Sequence, residues 1–70
     1  MAESVYKIIE LVGTSPESWE AAARAAVERA GSTLRDLRIA EVDKLDMTVD
    51  NNKVALYRAK IKLSFKYDEG

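Results

Sequence analysis

The chain has 70 residues, a formal net charge of -1 at pH 7, and neither cysteine nor histidine. So short a chain forms one domain, predicted over residues 1–70, that buries only about 60% of its unfolded surface. The composition excludes disulfides and the usual zinc sites. Oligomerisation is therefore the expected source of additional stability.

The balance of charge and hydropathy argues against nucleic acid and membrane as partners. The sequence mixes 11 basic with 12 acidic residues, which gives no electrostatic footprint for nucleic acid. No apolar run is long enough to cross a membrane, and the first residues lack the pattern of a secretory leader. We therefore expect a cytoplasmic location.

The first two predicted elements are a strand and a helix. Residues 5–12 are rich in Val and Ile, which predicts a strand that Gly13 ends. A helix is predicted over residues 16–30, with Ser15 as its cap, Pro16 at its first position and Gly31 just past its end. Apolar residues recur there with a 3.6-residue period, at Trp19, Ala22, Ala23, Ala26, Val27 and Ala30.

Two further strands follow a connection over residues 34–38. The second strand is predicted over residues 39–49, and the Asp-Asn-Asn sequence at 50–52 has the composition of a turn. The third strand, residues 53–67, has the clearest two-residue period of the chain. One face carries Ala55, Tyr57, Ala59, Ile61, Leu63 and Phe65, and the other carries Arg58, Lys60, Lys62, Ser64 and Lys66.

This order of elements predicts an α+β fold of the β-α-β-β type. The third strand is expected at the centre of a three-stranded antiparallel sheet, with the helix packed on its apolar face. The opposite sheet face should mix apolar and charged groups. From the first strand it is expected to carry Tyr6, Ile8, Glu10 and Val12, and from the third strand Leu56, Arg58, Lys60 and Lys62. The second strand is expected to add Arg38, Ala40, Val42 and Asp46, or the opposite parity if a bulge intervenes. Because the alanine-rich core is thin, we expect a partner subunit to cover that face.

Several segments resemble the dodecin family. Residues 5–18, VYKIIELVGTSPES, are similar to the start of dodecins, with a strand, then Gly-Thr-Ser, then a short amphipathic helix. Ala-Glu-Val at 40–42 and Ser-Phe at 64–65 also match, so the resemblance extends over about residues 5–67. It implies a homododecameric hollow shell whose subunit wraps its sheet around one helix. It also implies a storage or buffering role, since many dodecins bind flavins between subunits and are not enzymes.

Two positions depart from the flavin-binding dodecins. In those proteins a Trp before the Ala-Glu-Val segment stacks on the flavin ring, and a Gln in the last strand hydrogen-bonds the ring edge. The equivalent positions here are Ile39, which has no π-face, and Arg58, which can only donate. Flavin binding is therefore not expected. The departures, with Ser-Trp-Glu at 18–20 and Leu-Asp-Met at 45–47, resemble the calcium dodecin subgroup.

Calcium is accordingly the candidate ion. Calcium takes six to eight oxygen ligands, from carboxylates and carbonyls. The densest acidic segment contains Asp43, Asp46 and Asp50, and Glu10 is a further carboxylate on the first strand. Their spacing does not match an EF-hand loop. The alternative interpretation is that these are ordinary strand and turn charges.

A basic row on the third strand is the other candidate feature. Arg58, Lys60 and Lys62 alternate along one face and are predicted to pair with carboxylates such as Glu10, Glu41 or Asp46 across subunit interfaces. The alternative is a solvated or cavity-lining face. A catalytic role is not predicted, because Ser–His and Cys–His pairs require residues that the sequence lacks. Three functions remain open: a calcium-binding shell, a flavin-binding dodecin with an altered site, and a structural assembly without a ligand.

Overall fold

A computed structural model describes residues 3–67. The elements are β1 (Tyr6–Ser15), α1 (Trp19–Gly31), β2 (Leu37–Asp50) and β3 (Lys53–Lys66). The strands form one sheet in the order β1-β3-β2, and both neighbouring pairs are antiparallel. The predicted β-α-β-β topology with a central third strand is confirmed. Among the described residues, no helix has the length and apolar character needed to span a bilayer.

Strand β1 is longer than predicted. It continues through Gly13, which pairs with Ala59, and ends at Ser15, which pairs with Tyr57. The prediction that Gly13 ends the strand is therefore wrong. The glycine serves close packing instead, because a Cβ built at Gly13 would clash with the carbonyl oxygen of Ala22 and lie 3.1 Å from the Cβ of Ala26.

The helix begins later than predicted. Ser18 is the N-cap: its backbone is extended, with φ of -168°, and its hydroxyl accepts a hydrogen bond of 3.0 Å from the Ala21 amide. Ser15 is paired in the sheet, and its Oγ accepts from the Glu17 amide at 3.0 Å. The prediction of Ser15 as the cap is wrong. Gly31 is the last helical residue and not a left-handed cap, since its φ is not positive.

A two-residue turn joins β2 to β3. Asn51 and Asn52 have φ angles of 54° and 61°, as expected for a type I′ hairpin, so the predicted turn is confirmed. The pairing of β2 with β3 has three irregularities, between Leu37 and Ile39, between Val42 and Lys44, and between Thr48 and Val49. Each one shifts the pairing register by one residue and exchanges the faces on which later side chains lie.

These shifts correct the predicted content of the sheet face that points away from α1, here called the open face. Partners on β3 place Ile39 and Glu41 there, while Ala40 and Val42 lie on the helix side. Ala40 and Val42 are thus not on the open face, as predicted for the case in which a bulge intervenes, and the prediction of Asp46 there, opposite Arg58, is confirmed.

The buried core is small, as predicted. It consists of Ala22, Ala26, Ala30, Ala59, Ile61 and Leu63. The chain has an accessible surface of 5586 Å², whereas a compact monomer of this mass exposes about 4400 Å². Its radius of gyration is 14.6 Å, against about 11 Å for a compact domain of this length. A single subunit is therefore elongated and leaves unusual amounts of surface uncovered.

Candidate ligand- and ion-binding face

The open face carries charged groups from all three strands. Arg58, Lys60 and Lys62 run along the central strand β3. Carboxylates flank them, with Glu10 on β1 and Glu41 and Asp46 on β2 at facing register positions. Large apolar side chains, Tyr6, Ile8, Val12 and Ile39, are exposed at the periphery of the same face. The face therefore combines a charged centre with an apolar margin.

Arg58 and Asp46 form the tightest ion pair among the described residues. They are cross-strand partners, with Arg58 Nε 2.7 Å from Asp46 Oδ1 and Arg58 Nη2 2.8 Å from Asp46 Oδ2. Such a fork orients both groups and is stronger than a single neutral hydrogen bond. The hydrogen bond from Arg58 holds the pKa of Asp46 below its ordinary value of 3.8. The same bond raises the pKa of Arg58, which therefore stays protonated.

Asp46 is also held from the helix side of the sheet. The indole Nε1 of Trp19 donates to the backbone carbonyl of Asp46 at 3.0 Å. Trp19 packs edge-on against Tyr57, with ring centroids 5.1 Å apart and an interplanar angle of 72°. The predicted orientation of Trp19 toward the sheet is confirmed. Both the side chain and the backbone of Asp46 are thus engaged.

Lys60 makes looser contacts with two carboxylates. Its Nζ lies 3.5 Å from Glu10 Oε1 on β1 and 4.0 Å from Asp43 Oδ2 on β2. Both distances exceed those of a short charge-assisted hydrogen bond, about 2.7–2.9 Å. The side chains of Lys60 and Glu10 are 38% and 49% exposed, so water competes with these contacts.

The predicted metal ligands do not converge within one subunit. Asp50 is exposed at the end of β2, beside the hairpin turn, and faces Lys53. Glu10 and Asp43 share Lys60, while Asp46 is paired with Arg58. Among residues 3–67, no three acidic groups lie close enough together to hold a metal ion.

The two flavin-equivalent positions are also far apart within a subunit. Ile39 is 65% exposed and faces Ser64, which lies six residues beyond Arg58 along β3. Six residues of extended strand span about 20 Å. Because of this separation, a flavin ring can contact Ile39 and Arg58 together only if the two residues come from different subunits. Ile39 lacks the π-face that stacking requires, and two donors of Arg58 are already used by Asp46.

The predicted inter-subunit role of Arg58, Lys60, Lys62 and Glu41 stays a prediction. Arg58 and Lys60 already have carboxylate partners in their own chain. Lys62 faces Glu10 on one side and Glu41 on the other by register. These four residues are therefore placed together on the open face, where a neighbouring chain could reach them.

A recess between β1 and the last turn of α1 was missed by the sequence analysis. Its volume is about 360 Å³, and it is lined by Ile9, Leu11, Arg29, Ala30, Ser32, Thr33 and Leu34. The helical period places Arg29 on the polar side of α1, and no signal in the sequence shows that the recess forms beside it.

The fold and the open face define a small binding subunit with little interior of its own. The family model described as Dodecin matches residues 5–68. The calcium dodecin of Mycobacterium tuberculosis is 51% identical over 63 residues, covering 90% of this chain and 89% of the relative. A dodecin of Thermus thermophilus is 43% identical over 65 residues, covering 93% of this chain and 94% of the relative.

Solved structures of dodecins have a fold similar to that of this chain. The dodecin of Streptomyces coelicolor superposes with a TM-score of 0.91 at 37% identity, and the alignment covers 100% of both chains. The crystal structure of M. tuberculosis calcium dodecin, described as having a novel calcium-binding site, gives a TM-score of 0.83 at 48% identity over 96% of both chains. The chain belongs to the dodecin family. Dodecins are non-enzymatic, small-ligand-binding proteins known to form dodecamers, and this chain is accordingly a binding protein and not an enzyme.

Proposed function

We propose that this chain assembles into a homododecameric shell that binds calcium, with each ion held by carboxylates of more than one subunit. The proposed assembly is supported mainly by the large uncovered surface of the isolated subunit. The accessible area of 5586 Å² exceeds the value of about 4400 Å² for a compact monomer. If this excess surface is buried in contacts between copies of the chain, the burial supplies stability that the small core does not.

Two exposed apolar surfaces are available for contacts between copies. The margin of the open face is one. The other is a row on the helix side of β2, which α1 does not cover, formed by Val42, Leu45 and Met47; their exposed fractions are 51%, 50% and 44%. Apolar patches of this kind mark interaction surfaces in soluble proteins. Since they lie on opposite sides of the sheet, one subunit can contact several neighbours at once.

Calcium is supported by the relative and by the chemistry of the open face. The 51% identical relative is a calcium dodecin, and this chain has exposed carboxylates at Glu10, Asp43 and Asp50. Calcium accepts flexible sets of carboxylate and carbonyl oxygens. The loose contacts of Lys60 with Glu10 and Asp43 cost little to break. Approach of a second chain would then complete the coordination.

The assembly is tested by light scattering. Twelve subunits of 7.8 kDa give a mass of about 94 kDa. A stable monomer of 7.8 kDa that persists on dilution would contradict the proposed shell.

Calcium binding is tested by calorimetric melting. An ion that binds the folded assembly at 100 times its dissociation constant stabilises each site by about 2.7 kcal/mol. We expect the melting temperature to rise with calcium and not with magnesium, and the rise to shrink in the double variant Glu10→Gln, Asp43→Asn. Equal melting curves with and without calcium would leave a structural assembly without a ligand.

Flavin binding is the alternative function, raised by the resemblance of the chain to flavin-binding dodecins. Ile39 and the engaged Arg58 weigh against it. Riboflavin fluorescence should therefore remain unquenched on addition of the protein. Strong quenching at micromolar protein would favour the flavin alternative over calcium.

A further inference from the structure

We propose that Arg58 is a specificity-determining residue, whose guanidinium serves as the resident cation of Asp46 and keeps that carboxylate out of calcium binding. The inference rests on the proposed calcium function and divides its candidate ligands into two groups. Glu10, Asp43 and Asp50 stay available to an ion, whereas Asp46 does not.

The geometry around Asp46 carries the first step. Its two carboxylate oxygens accept from Arg58 at 2.7 and 2.8 Å, and its carbonyl oxygen accepts from Trp19 at 3.0 Å. Every oxygen that Asp46 could offer to calcium therefore already has a donor. A divalent ion approaching this carboxylate would also meet the positive charge of Arg58, which opposes its binding.

The contrast with Lys60 carries the second step. One ammonium group is shared by Glu10 and Asp43 at 3.5 and 4.0 Å, so neither carboxylate is fully satisfied. A planar guanidinium fits a carboxylate with two parallel bonds, whereas an ammonium acts as a point charge. Calcium therefore competes successfully with Lys60 and fails against Arg58.

Register explains why the fork forms within the chain. Arg58 and Asp46 face each other directly across β2 and β3, so neither side chain has to reach far. The pair also uses two of the donors of Arg58, at the position that is equivalent to the flavin-binding amide. One ion pair thus excludes two kinds of ligand, a flavin edge and a divalent cation, from the same place on the open face.

The test uses terbium, a luminescent probe for calcium sites, and the single tryptophan of the chain. Because Trp19 is bonded to the backbone of Asp46, a terbium ion at that carboxylate would receive excitation energy from the indole. We expect Arg58→Gln to give tryptophan-sensitised terbium emission above that of the unaltered protein. The double variant Arg58→Gln, Asp46→Asn should lose the added emission. Arg58→Lys, which keeps the positive charge but cannot form the two parallel bonds, should gain part of it.

A second measurement addresses the unaltered site. Asp46→Asn alone should leave the calcium-induced rise in melting temperature unchanged. Loss of that rise in Asp46→Asn, or equal terbium emission in Arg58→Gln and the unaltered protein, would overturn the role of Arg58. Failure of the proposed function is a different result, because the unaltered protein would then show no calcium response while Arg58→Gln still gained terbium emission.

Discussion

At the scale of single residues, Gly13 controls how closely α1 approaches the sheet. A methyl group at this position would meet the carbonyl of Ala22 and the side chain of Ala26. Both belong to the helix that covers the core, so the helix would have to move away. We predict that Gly13→Ala destabilises the subunit by about 1–3 kcal/mol, the usual cost of overpacking. Denaturant melting of the assembled protein measures this loss.

Gly31→Ala is the matched control for that prediction. A Cβ at Gly31 would lie 3.6 Å from Leu37 Cδ1, an ordinary contact, and the residue is helical without a positive φ. Alanine is favoured over glycine in a helix by about 1 kcal/mol, so this variant should be neutral or more stable. If both variants lost stability equally, close packing at Gly13 would not be the cause.

The ion pair between Arg58 and Asp46 should make the stability of the protein depend on pH. The lowered pKa of Asp46 means that the folded state favours the ionised carboxylate. The pair therefore contributes fully above the ordinary value of 3.8 and is lost as the pH falls through the lowered pKa. We expect Asp46→Asn to have a smaller fall in melting temperature than the unaltered protein below about pH 4. Because both side chains are exposed, the difference should be small and should diminish with added salt.

Arg58→Met separates this pair from the other carboxylates. In the Arg58→Met background, Asp46→Asn should no longer change how far the melting temperature falls at acid pH. An unchanged effect of Asp46→Asn without Arg58 would assign the pH dependence to another partner of Asp46.

At the scale of elements, the start of α1 depends on Ser18. Its hydroxyl satisfies the Ala21 amide at 3.0 Å, one of the amides that a helix start leaves without a partner. We predict that Ser18→Ala costs about 1 kcal/mol, and that Ser18→Asp, which keeps an accepting oxygen near the positive helix end, restores most of it. Urea melting followed by circular dichroism provides the comparison. Similar losses in both variants would mean that the cap hydrogen bond is not the stabilising contact.

The elements show which features the sequence could predict. The alanine stripe, the alternation in β3 and the Asn-Asn turn are local patterns, and each one indicates its element directly. Irregularities in strand pairing are not encoded locally. Without the shift between Thr48 and Val49, the hairpin register that pairs Asp50 with Lys53 would place Asp46 opposite Tyr57. The shift places it opposite Arg58, and the ion pair within the chain could not be derived from the sequence for that reason.

At the scale of the whole molecule, the helix covers only part of the sheet. The buried apolar side chains come from α1 and β3, and none of the residues of β2 is buried. A strand left without a covering layer on either face is costly for a chain of 70 residues. In the proposed shell, stability would therefore depend on assembly, and the apolar row of β2 is the surface where we expect that dependence to be strongest.

Leu45 lies in the middle of that row and provides the test. We predict that Leu45→Glu lowers the mass measured by light scattering below the dodecamer value of about 94 kDa, twelve times 7.8 kDa. Burying a leucine at an interface contributes about 1.5–3 kcal/mol per subunit, and a carboxylate there would also lose its hydration. Glu28→Lys, on the exposed side of α1, is the control and should keep the full mass.

The unaltered protein should melt at higher temperature as its concentration rises, since association stabilises the folded state. A Leu45→Glu assembly of unchanged mass and unchanged melting would show that neighbouring subunits do not cover this row.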